Sequence, residues 1–450
     1  MNNPKTGYQN NTKQGREIPY DLSRKDAKKE DINPAATREA RIARMRTAGT
    51  VLRKRSQSLE KLESLPTDVP DLVCLSHLRW DFVYQRPQHL LSRCAQEQRV
   101  FFVEEPIFGT EPGTRIDISR RDNGVWVVVP HLHESLQGDS AHPTQQQLLD
   151  QLFAEREIEQ PILWYYTPMA LPFSRHLQPS LVVYDCMDEL SAFKGAPPIL
   201  RELEAELFER ANLVFTGGQT LYEAKREQHA NVHAFPSSVD VPHFAQARTL
   251  TEEPADQASI PHPRIGFYGV IDERMDLDLL RGVAEARPEW HLVIIGPVVK
   301  IDQAQLPRLD NIHYLGGKAY TELPQYLAGW DVAMLPFARN ESTRFISPTK
   351  TPEYLAAGRP VVSTSIRDVV CPYGQSGLAE IADTVPEFVA AVEMLLSRDP
   401  QASGWLPQVD QFLSQISWDR TWNQMAELMG AAMGSEQLVA KAKTALRSSK

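Results

Sequence analysis

Short apolar runs that stop abruptly at polar residues recur along the first half of the chain. Such runs are typical of parallel strands that are buried on both faces of a sheet. Between them lie longer segments with helical periodicity, including a proline-started helix at RPQHLLSRCAQEQ and helices over 196–210 and 218–229. The predicted strands are LVCL, VFFVEEP, VWVVVP, ILWYYTP, LVVYDCMD and NLVFTGG, followed by the short apolar NVHAFPSSVD. This alternation predicts a doubly wound α/β domain.

The same alternation restarts after a polar, proline-containing segment at 249–263. The predicted strands are RIGFYGV, WHLVIIGP, NIHYLGG, VAMLPF and PVVST, with helices at DLDLLRGVAEAR and ELPQYLAG. We therefore predict two Rossmann-like domains facing a central cleft, where the carboxyl ends of the strands bind ligands. The predicted divisions are a basic extension at 1–66, an N-terminal domain at 67–258, a C-terminal domain at 259–404, a helical segment at 405–433 and a tail at 434–450.

The N-terminal extension differs from the rest of the chain in charge. Residues 1–65 hold 15 Lys and Arg against 8 Asp and Glu, a net of +7, whereas the whole chain carries −10 and the remainder therefore −17. Residues 1–33 are polar and predict disorder, while residues 34–65 are helix-prone with a thin apolar stripe. A solvated helical linker, a basic helix on an anionic lipid surface and a short coiled-coil contact all remain open.

Composition and motifs disfavour several classes of protein. No signal peptide and no run of 18 apolar residues is visible, so we expect a cytoplasmic protein. Contact of residues 34–65 with the inner membrane face is a hypothesis. Cys74, Cys94, Cys186 and Cys371 form no CxxC pair and indicate reduced structural residues. The acidic body argues against nucleic acid as a partner, and the chain lacks both a Walker A and a complete GxGxxG sequence.

Two stretches of the C-terminal domain are candidates for binding a phosphorylated ligand. In GFYGVIDER, Gly269 allows a phosphate close to the backbone and Arg274 follows in the next turn. In SPTKTPEYLAAGRPVVS a helix begins near Ser347, so that Lys350 can neutralise a diphosphate and Glu353 can accept hydrogen bonds from a ribose. The alternatives are simple turn glycines, a solvated Lys350 and a helix-capping Glu353.

The N-terminal domain has its own candidate loop after the first strand, SHLRWDFVYQRPQH. Its polar and aromatic side chains predict a ligand-binding loop, because aromatic rings stack on sugars and charged groups bind hydroxyls or phosphate. The candidate residues are His77, Arg79, Trp80, Asp81 and Arg86. The alternative places Trp80 and Phe82 in the core and His89 on a helix surface.

Two aspartates, Asp185 and Asp188, follow another N-terminal strand and are candidates for contacting a ligand in the cleft. The alternative is that they cap the next turn. His131 and His133 have the spacing of a metal pair, but no third ligand motif accompanies them, so we interpret them as surface residues and predict no metal.

Several blocks of the chain, in the right order, resemble the type-B glycosyltransferases of family 4, also called glycosyl transferases group 1. The blocks are PTKTPEYLAAGRPVVS, NIHYLGGKAYTELPQYLAGWDVAMLPF, ANLVFTGGQTLYEAK and VHAFPSSVDVPHF. The resemblance covers roughly residues 71–430. It implies the type-B architecture of two Rossmann-like domains and a nucleotide sugar, most simply a UDP-sugar, as donor substrate.

The resemblance also implies roles for individual residues. The donor diphosphate would lie near Gly269, Arg274 and Lys350, the ribose at Glu353, and the base near Gly317 and Lys318, with Ser347 also contacting the donor. The acceptor, a glycan or lipid-linked glycan, would contact the N-terminal domain through the loop residues His77, Arg79, Trp80, Asp81 and Arg86. The candidate catalytic residues are Asp185 and Asp188, which would orient an acceptor hydroxyl or the donor sugar, and Glu353. The family transfers sugars without a cofactor or bound metal and generally retains the anomeric configuration. We therefore expect a hexosyltransferase of envelope or exopolysaccharide synthesis.

Three departures from the family pattern bear on catalysis. Phe345 stands where the family has the first of two glutamates, so its task would fall to Glu341 or Ser347 or be absent. Arg274 stands alone where an Arg and Lys pair is usual, and Met187 replaces a common histidine. A nucleotide-sugar epimerase or hydrolase on the same fold and a catalytically silent sugar-binding scaffold subunit are therefore the alternatives.

Overall fold

The structure is a computed structural model that describes residues 69–110, 113–398 and 404–434. The predictions for residues 1–66 and for nearly all of the tail at 434–450 lie outside these ranges. All described residues fall in one compact unit, which spans 66–450.

The first domain is built on a sheet whose described strands number nine. Its strands are β1 (Leu72–Leu75), β2 (Val100–Val103), β3 (Ile107–Gly109), β4 (Arg115–Arg120), β5 (Trp126–His133), β6 (Ile162–Tyr165), β7 (Leu181–Cys186), β8 (Leu213–Thr216) and β9 (Val232–Ala234). The order is β3-β5-β2-β1-β6-β7-β8-β9, all parallel, with β4 antiparallel on β5. The helices are α1 (Arg86–Cys94), α2 (His142–Arg156), α3 (Leu171–Ser174), α4 (Leu200–Arg210) and α5 (Gln219–Lys225).

The second domain follows two short helices, α6 (Val241–Ala245) and α7 (Ala255–Ala258). Its parallel sheet has the order β12-β11-β10-β13-β14-β15. The strands are β10 (Arg264–Tyr268), β11 (His291–Ile295), β12 (Ile312–Gly316), β13 (Val332–Leu335), β14 (Val361–Ser363) and β15 (Ala379–Ile381). The helices are α8 (Leu277–Ala286), α9 (Leu323–Ala328), α10 (Lys350–Ala356), α11 (Arg367–Val369), α12 (Val385–Ser397), α13 (Trp405–Leu413) and α14 (Trp418–Ala432).

Short turns complete the elements. Single 3-10 turns lie at Gly138–Ala141, Pro168–Ala170, Leu190–Ala192, Gln246–Arg248, Gln303–Gln305 and Tyr320–Glu322, and a π-type turn lies at Val370–Gly374.

The last two helices belong to different cores. Trp405 and Leu413 of α13 are buried in the core of the second domain. Trp418 and Trp422 of α14 are instead buried against the first domain, in the core on the face of its sheet that also holds Leu90. The chain therefore returns to the first domain at its end, and the predicted helical segment at 405–433 joins both domains.

The predicted α/β class and the two doubly wound sheets are confirmed. The structure corrects several element bounds: the helix predicted over 196–210 begins at Leu200, after Pro197 and Pro198, and the helix predicted over 218–229 ends at Lys225. The sequence analysis missed β3, β4, β15, α2 and α12. Strand β4 was missed because exposed charged residues alternate along it, as expected for an antiparallel edge strand. In the described ranges, no helix is long and apolar enough to cross a bilayer.

Candidate functional site

A cavity of about 530 Å³ lies where the strands of the second domain end. Five of the predicted donor-binding residues line it: Gly269, Gly317, Lys318, Lys350 and Glu353. Its opposite wall comes from residues 80–84 of the first domain. The cavity therefore lies in the crevice between the domains, which is where open α/β sheets bind ligands.

Glu353 is the most constrained residue of this cavity. It lies in the first turn of α10 and is almost completely buried. The Tyr268 hydroxyl donates to its Oε2 at 2.5 Å, and the Lys350 Nζ lies 3.8 Å from the same oxygen. Burial raises the pKa of Glu353, although Lys350 and the Tyr268 hydrogen bond both favour the ionised form. No hydrogen bond to a described residue occupies Oε1, which leaves one carboxylate oxygen to accept from a ligand.

The loop after β10 approaches the next strand end closely. The Gly269 amide donates to the carbonyl of Ile295 at 2.9 Å. A Cβ added at Gly296 would collide with the Gly269 carbonyl, and both residues have positive φ angles, 155° and 145°. Only glycines fit both positions, and they leave backbone accessible at the floor of the cavity.

A smaller cavity of about 150 Å³ continues from the first one toward the N-terminal domain. Gly269 and Lys350 line both cavities, while Arg274, Asp188 and Ser347 line only the smaller one. The Arg274 guanidinium is held by the carboxylate of Asp272, at 2.7 Å from Nη2. The predicted diphosphate and sugar contacts thus adjoin the predicted ribose contacts.

Asp188 faces several cations in the smaller cavity. Burial raises its pKa to about 6, against the opposing effect of the positive charges of Arg274, Arg86 and Lys300. Its carboxylate forms no hydrogen bond or ion pair with a described side chain. A carboxylate with this pKa is suited to exchanging a proton near neutral pH.

Arg86 and Asp185 are bonded to each other rather than open to the cleft. Two guanidinium nitrogens of Arg86 donate to the two carboxylate oxygens of Asp185, both at 2.9 Å, and a third donates to the carbonyl of Phe235 at 2.8 Å. Asp185 is fully buried and Arg86 nearly so. This geometry favours a structural role for the pair, although Arg86 also lines the smaller cavity. Their predicted ligand contacts remain untested.

The remaining acceptor candidates form a loop that is held by internal contacts. The Arg79 guanidinium bonds Glu104 at 2.9 Å, and Asp81 forms an ion pair with Arg121 at 2.5 Å. Trp80 lines the larger cavity with part of its surface, yet it is 5% exposed and packs edge-on against Phe102.

His77 is largely buried at the end of β1. Burial lowers its pKa to about 4, so the imidazole is neutral at physiological pH. The structure places His77 near Lys300 and outside the two cavities.

The sequence analysis missed an aromatic wall of the larger cavity. Phe82 and Tyr84 are 56% and 39% exposed, and Tyr84 stacks on Tyr320 of the second domain with ring centroids 4.4 Å apart. Tyr320 also stacks on His243 at 4.2 Å. Tyr84 belongs to the quoted aromatic loop, so its composition was a signal, but its partner across the cleft was not predictable from the sequence.

The base-side candidates differ from one another in their surroundings. A Cβ added at Gly317 would meet no atom within 4 Å, so the backbone there is open to a ligand. Lys318 is bonded to Asp256 at 2.5 Å and lies over the Tyr326 ring.

Phe345 lies where the family has its first glutamate. It packs against the core of the N-terminal domain, with the Arg344 guanidinium over its ring. Glu341 is largely exposed and lies near Arg344, at 3.7 Å. Ser347 lines the smaller cavity, and its carbonyl accepts from the Ser237 hydroxyl at 2.7 Å. Of the two proposed substitutes, Ser347 is therefore the one that adjoins the predicted sugar position.

The described residues hold no group of three or more His, Cys, Asp or Glu side chains placed to bind a metal ion. The smaller cavity is lined by three cationic side chains, Arg86, Arg274 and Lys350, and the charge of Lys300 also acts on Asp188 there.

The chain is similar in sequence to known glycosyltransferases. Residues 262–398 match the family model described as Glycosyl transferases group 1. A protein of Bacillus subtilis (strain 168), TuaH, which is named as a teichuronic acid biosynthesis glycosyltransferase, is 26% identical over 279 residues, or 56% of this chain and 68% of that protein.

Solved structures share the fold at low sequence identity. An Escherichia coli trehalose-6-phosphate structure bound with UDP-2-fluoro glucose has a TM-score of 0.62 at 12% identity, covering 80% of this chain and 99% of that one. Sucrose-phosphate synthase of Thermosynechococcus elongatus has a TM-score of 0.61 at 14% identity, with 80% and 98% covered. Anabaena HepE in complex with UDP and glucose has a TM-score of 0.59 at 14% identity, with 80% and 99% covered.

Two Rossmann-like domains around a ligand-sized cleft define the type-B architecture, and the structural matches confirm it. The family match over the C-terminal domain and the similarity to TuaH then confirm the resemblance drawn from the sequence motifs: the chain is a glycosyltransferase.

Proposed function

We propose that this glycosyltransferase moves a sugar from a UDP-sugar to a glycan or lipid-linked acceptor in envelope or exopolysaccharide synthesis. The observation that carries the donor assignment is the meeting of Gly269, Gly317, Lys350 and Glu353 in one cavity. UDP or a UDP-sugar analogue is named in two of the similar structures, which supports this nucleotide. The name of the Bacillus relative supports an envelope polysaccharide.

The proposed donor pose follows the order of the residues along the two cavities. The base lies by the open backbone of Gly317, and the ribose donates to the free Oε1 of Glu353. The diphosphate lies over Gly269 beside Lys350. The sugar enters the smaller cavity, next to Arg274, Ser347 and Asp188.

The proposed reaction needs no cofactor and no metal ion. The bond between the anomeric carbon and the diphosphate oxygen breaks while the acceptor oxygen bonds the same face of that carbon, so that configuration is retained. Lys350 and Arg274 stabilise the negative charge that develops on the diphosphate. The Asp188 carboxylate takes the proton from the acceptor hydroxyl and passes it to the departing diphosphate.

Thermal unfolding against a panel of nucleotides and nucleotide sugars tests the donor assignment. A ligand at 100 times its dissociation constant adds about 2.7 kcal/mol to the unfolding free energy. We expect UDP or a UDP-sugar to raise the midpoint of the wild type and not that of Glu353→Ala or Lys350→Ala. A panel that leaves the wild-type midpoint unchanged would contradict the assignment.

Donor consumption then separates transfer from the alternatives. Consumption that depends on added acceptor supports transfer, whereas consumption without acceptor indicates a hydrolase or epimerase. Donor binding with no consumption under either condition indicates a silent scaffold. Activity that survives chelation with EDTA supports the metal-independent reaction.

Membrane contact through residues 34–65 is a separate part of the proposal and lies outside the described residues. It rests on the net charge of +7 in residues 1–65 and on the thin apolar stripe. Co-sedimentation with anionic liposomes should be stronger for the full chain than for a variant lacking residues 1–65. Equal sedimentation of the two proteins would contradict the proposed membrane contact.

A further inference from the structure

The loop that carries Asp188, residues 187–193, is held from two sides. On the donor side, the Phe193 ring lies under Lys300 Nζ at 4.9 Å and under the Arg274 guanidinium at 5.7 Å. The Ser342 hydroxyl also donates to the carbonyl of Ala192 at 3.1 Å. These contacts cross the cleft, so the position of the 187–193 loop depends on the position of the C-terminal domain.

On the side away from the donor site, the 187–193 loop is bonded to helix α5. Lys225, at the end of α5, is 4% exposed and its Nζ lies 2.7 Å from carboxylate oxygens of both Glu189 and Glu204. The Ser191 hydroxyl and the Tyr184 hydroxyl donate to these two carboxylates. A buried group of three charges is weak support for stability, because desolvation offsets the attraction, but it fixes the conformation of what it joins.

The other end of α5 is bonded to the C-terminal domain. Asp368, in the short helix α11, accepts from the backbone amides of Gln219 at 2.9 Å and Thr220 at 3.0 Å, and from the Thr220 hydroxyl. The carboxylate thus satisfies free amides at the start of a helix of the other domain.

Two glycines before α5 allow the close approach of the 187–193 loop and of Asp368. A Cβ added at Gly218 would collide with the Asp368 carboxylate, and one added at Gly217 would collide with the carbonyl of Met187, the residue before Asp188. The turn before α5 therefore touches the C-terminal domain on one side and the 187–193 loop on the other.

We propose that α5 is a strut between the C-terminal domain and the 187–193 loop, with Asp368 and Lys225 as positioning residues that place Asp188 against the donor site. The placement of the loop rests on the contacts above. Its consequence for catalysis rests on the proposed function, in which Asp188 acts on the acceptor hydroxyl.

Hydrogen exchange of the full chain tests the strut without any activity. We expect Asp368→Ala and Lys225→Met each to speed amide exchange in residues 187–193 roughly tenfold, because each removes one end of the support. Substitutions at two sites that share no partner normally have additive effects on free energy. A strut instead predicts that the double variant exchanges no faster than the worse single variant.

A matched control is available on the same helix. Arg367 and Glu223 form an exposed ion pair between the same two domains, at 2.5 Å, that includes neither Asp368 nor Lys225. We expect Arg367→Gln to leave exchange in the loop unchanged. If Lys225→Met or Asp368→Ala does not fold, Glu189→Gln and Asp368→Asn are the milder replacements and carry the same expectation.

Two outcomes would overturn the strut. One is faster exchange confined to 219–225 in Asp368→Ala, with the loop unaffected; the other is strict additivity in the double variant. Measurement of kcat tests the proposed function separately from the strut. A loss of kcat of about tenfold or more, with UDP affinity within twofold of wild type, fits a displaced catalytic group. Faster loop exchange with unchanged kcat would keep the strut and contradict the role given to Asp188.

Discussion

The two walls of the cleft use charged residues differently. On the donor wall, Lys350 and Glu353 lie 3.8 Å apart, and Glu353 keeps one carboxylate oxygen unbonded. On the N-terminal wall, the charged candidates other than Asp188 are bonded within their own domain, as in the Arg86–Asp185 pair, where both carboxylate oxygens are used. The first wall is arranged to receive a ligand, and the second is arranged mainly to hold its own loops.

The difference shows what a charged residue at a strand end can mean. Where a partner is close and both groups are buried, the pair fixes the backbone, and its removal should affect folding first. Where a charged group faces a cavity and has atoms that no protein group bonds, its removal should affect ligand binding first. Substitutions on the two walls should therefore separate stability from affinity.

The largest effect is expected from Arg86→Met on the N-terminal wall. This substitution leaves the Asp185 carboxylate buried and uncompensated, so we expect a loss of about 3–5 kcal/mol of unfolding free energy. Arg121→Met is the control: it breaks the exposed pair with Asp81 and should cost about 0–1 kcal/mol. Chemical denaturation of both variants measures this. Equal losses would remove the distinction between buried and exposed pairs on this wall.

Asp188→Asn should lower turnover by roughly a hundredfold, as expected for loss of an acid–base group. Because the ionised form takes the proton and the pKa of Asp188 is raised to about 6, wild-type kcat should rise as pH rises through about 6 and fall below it. The Asn variant should lack this acid limb. A pH profile that is the same in both proteins would assign the limb to another group.

Lys350→Gln should weaken UDP binding by about 1.5–3 kcal/mol, the range for hydrogen bonds to charged groups. Among described residues, Lys350 donates a hydrogen bond only to the neighbouring Thr349 hydroxyl, at 2.9 Å, and its ion-pair contact with Glu353 is longer, at 3.8 Å. The unfolding free energy without ligand should therefore fall less than in Arg86→Met. Titration calorimetry measures the affinity, with Lys194→Gln as a control for an exposed lysine on the other domain. A large stability loss without loss of affinity would place Lys350 among the structural charges.

The smallest effect is expected from Tyr268→Phe, which removes the hydrogen bond that orients Glu353. We expect a loss of about 1 kcal/mol in UDP affinity, because Glu353 keeps its position but loses the fixed orientation of its carboxylate. A UDP analogue that lacks both ribose hydroxyls controls for a general change of the cavity, because it cannot donate to Glu353 and should bind both proteins equally. Unchanged UDP affinity would show that Tyr268 does not orient the ribose contact.

The sequence predicted the fold well because buried parallel strands leave a local signal. Strands such as β6 and β13 are continuous apolar runs, and the helices between them carry helical periodicity. It missed β4 because an edge strand that alternates charged residues resembles a surface loop. It missed α2 because only three leucines of that glutamine-rich helix are buried.

The candidate site divides in the same way. Gly269 follows a recognisable strand end, and Lys350 and Glu353 lie at a recognisable helix start, so the sequence indicated that all three lie in the cleft. Their contacts with a ligand stay predictions. The pairing of Arg86 with Asp185 spans 99 positions, and the stacking of Tyr84 on Tyr320 spans the cleft. Such contacts depend on how distant segments pack, and no local pattern of residue types records them.

A crystal structure of the full chain with UDP tests the central claim most directly. We predict the base beside Gly317, the ribose within hydrogen-bond distance of the Glu353 carboxylate, and the diphosphate between Gly269 and Lys350. UDP bound elsewhere, or bound in this cavity without contact to Glu353 and Lys350, would contradict the assignment of the donor site.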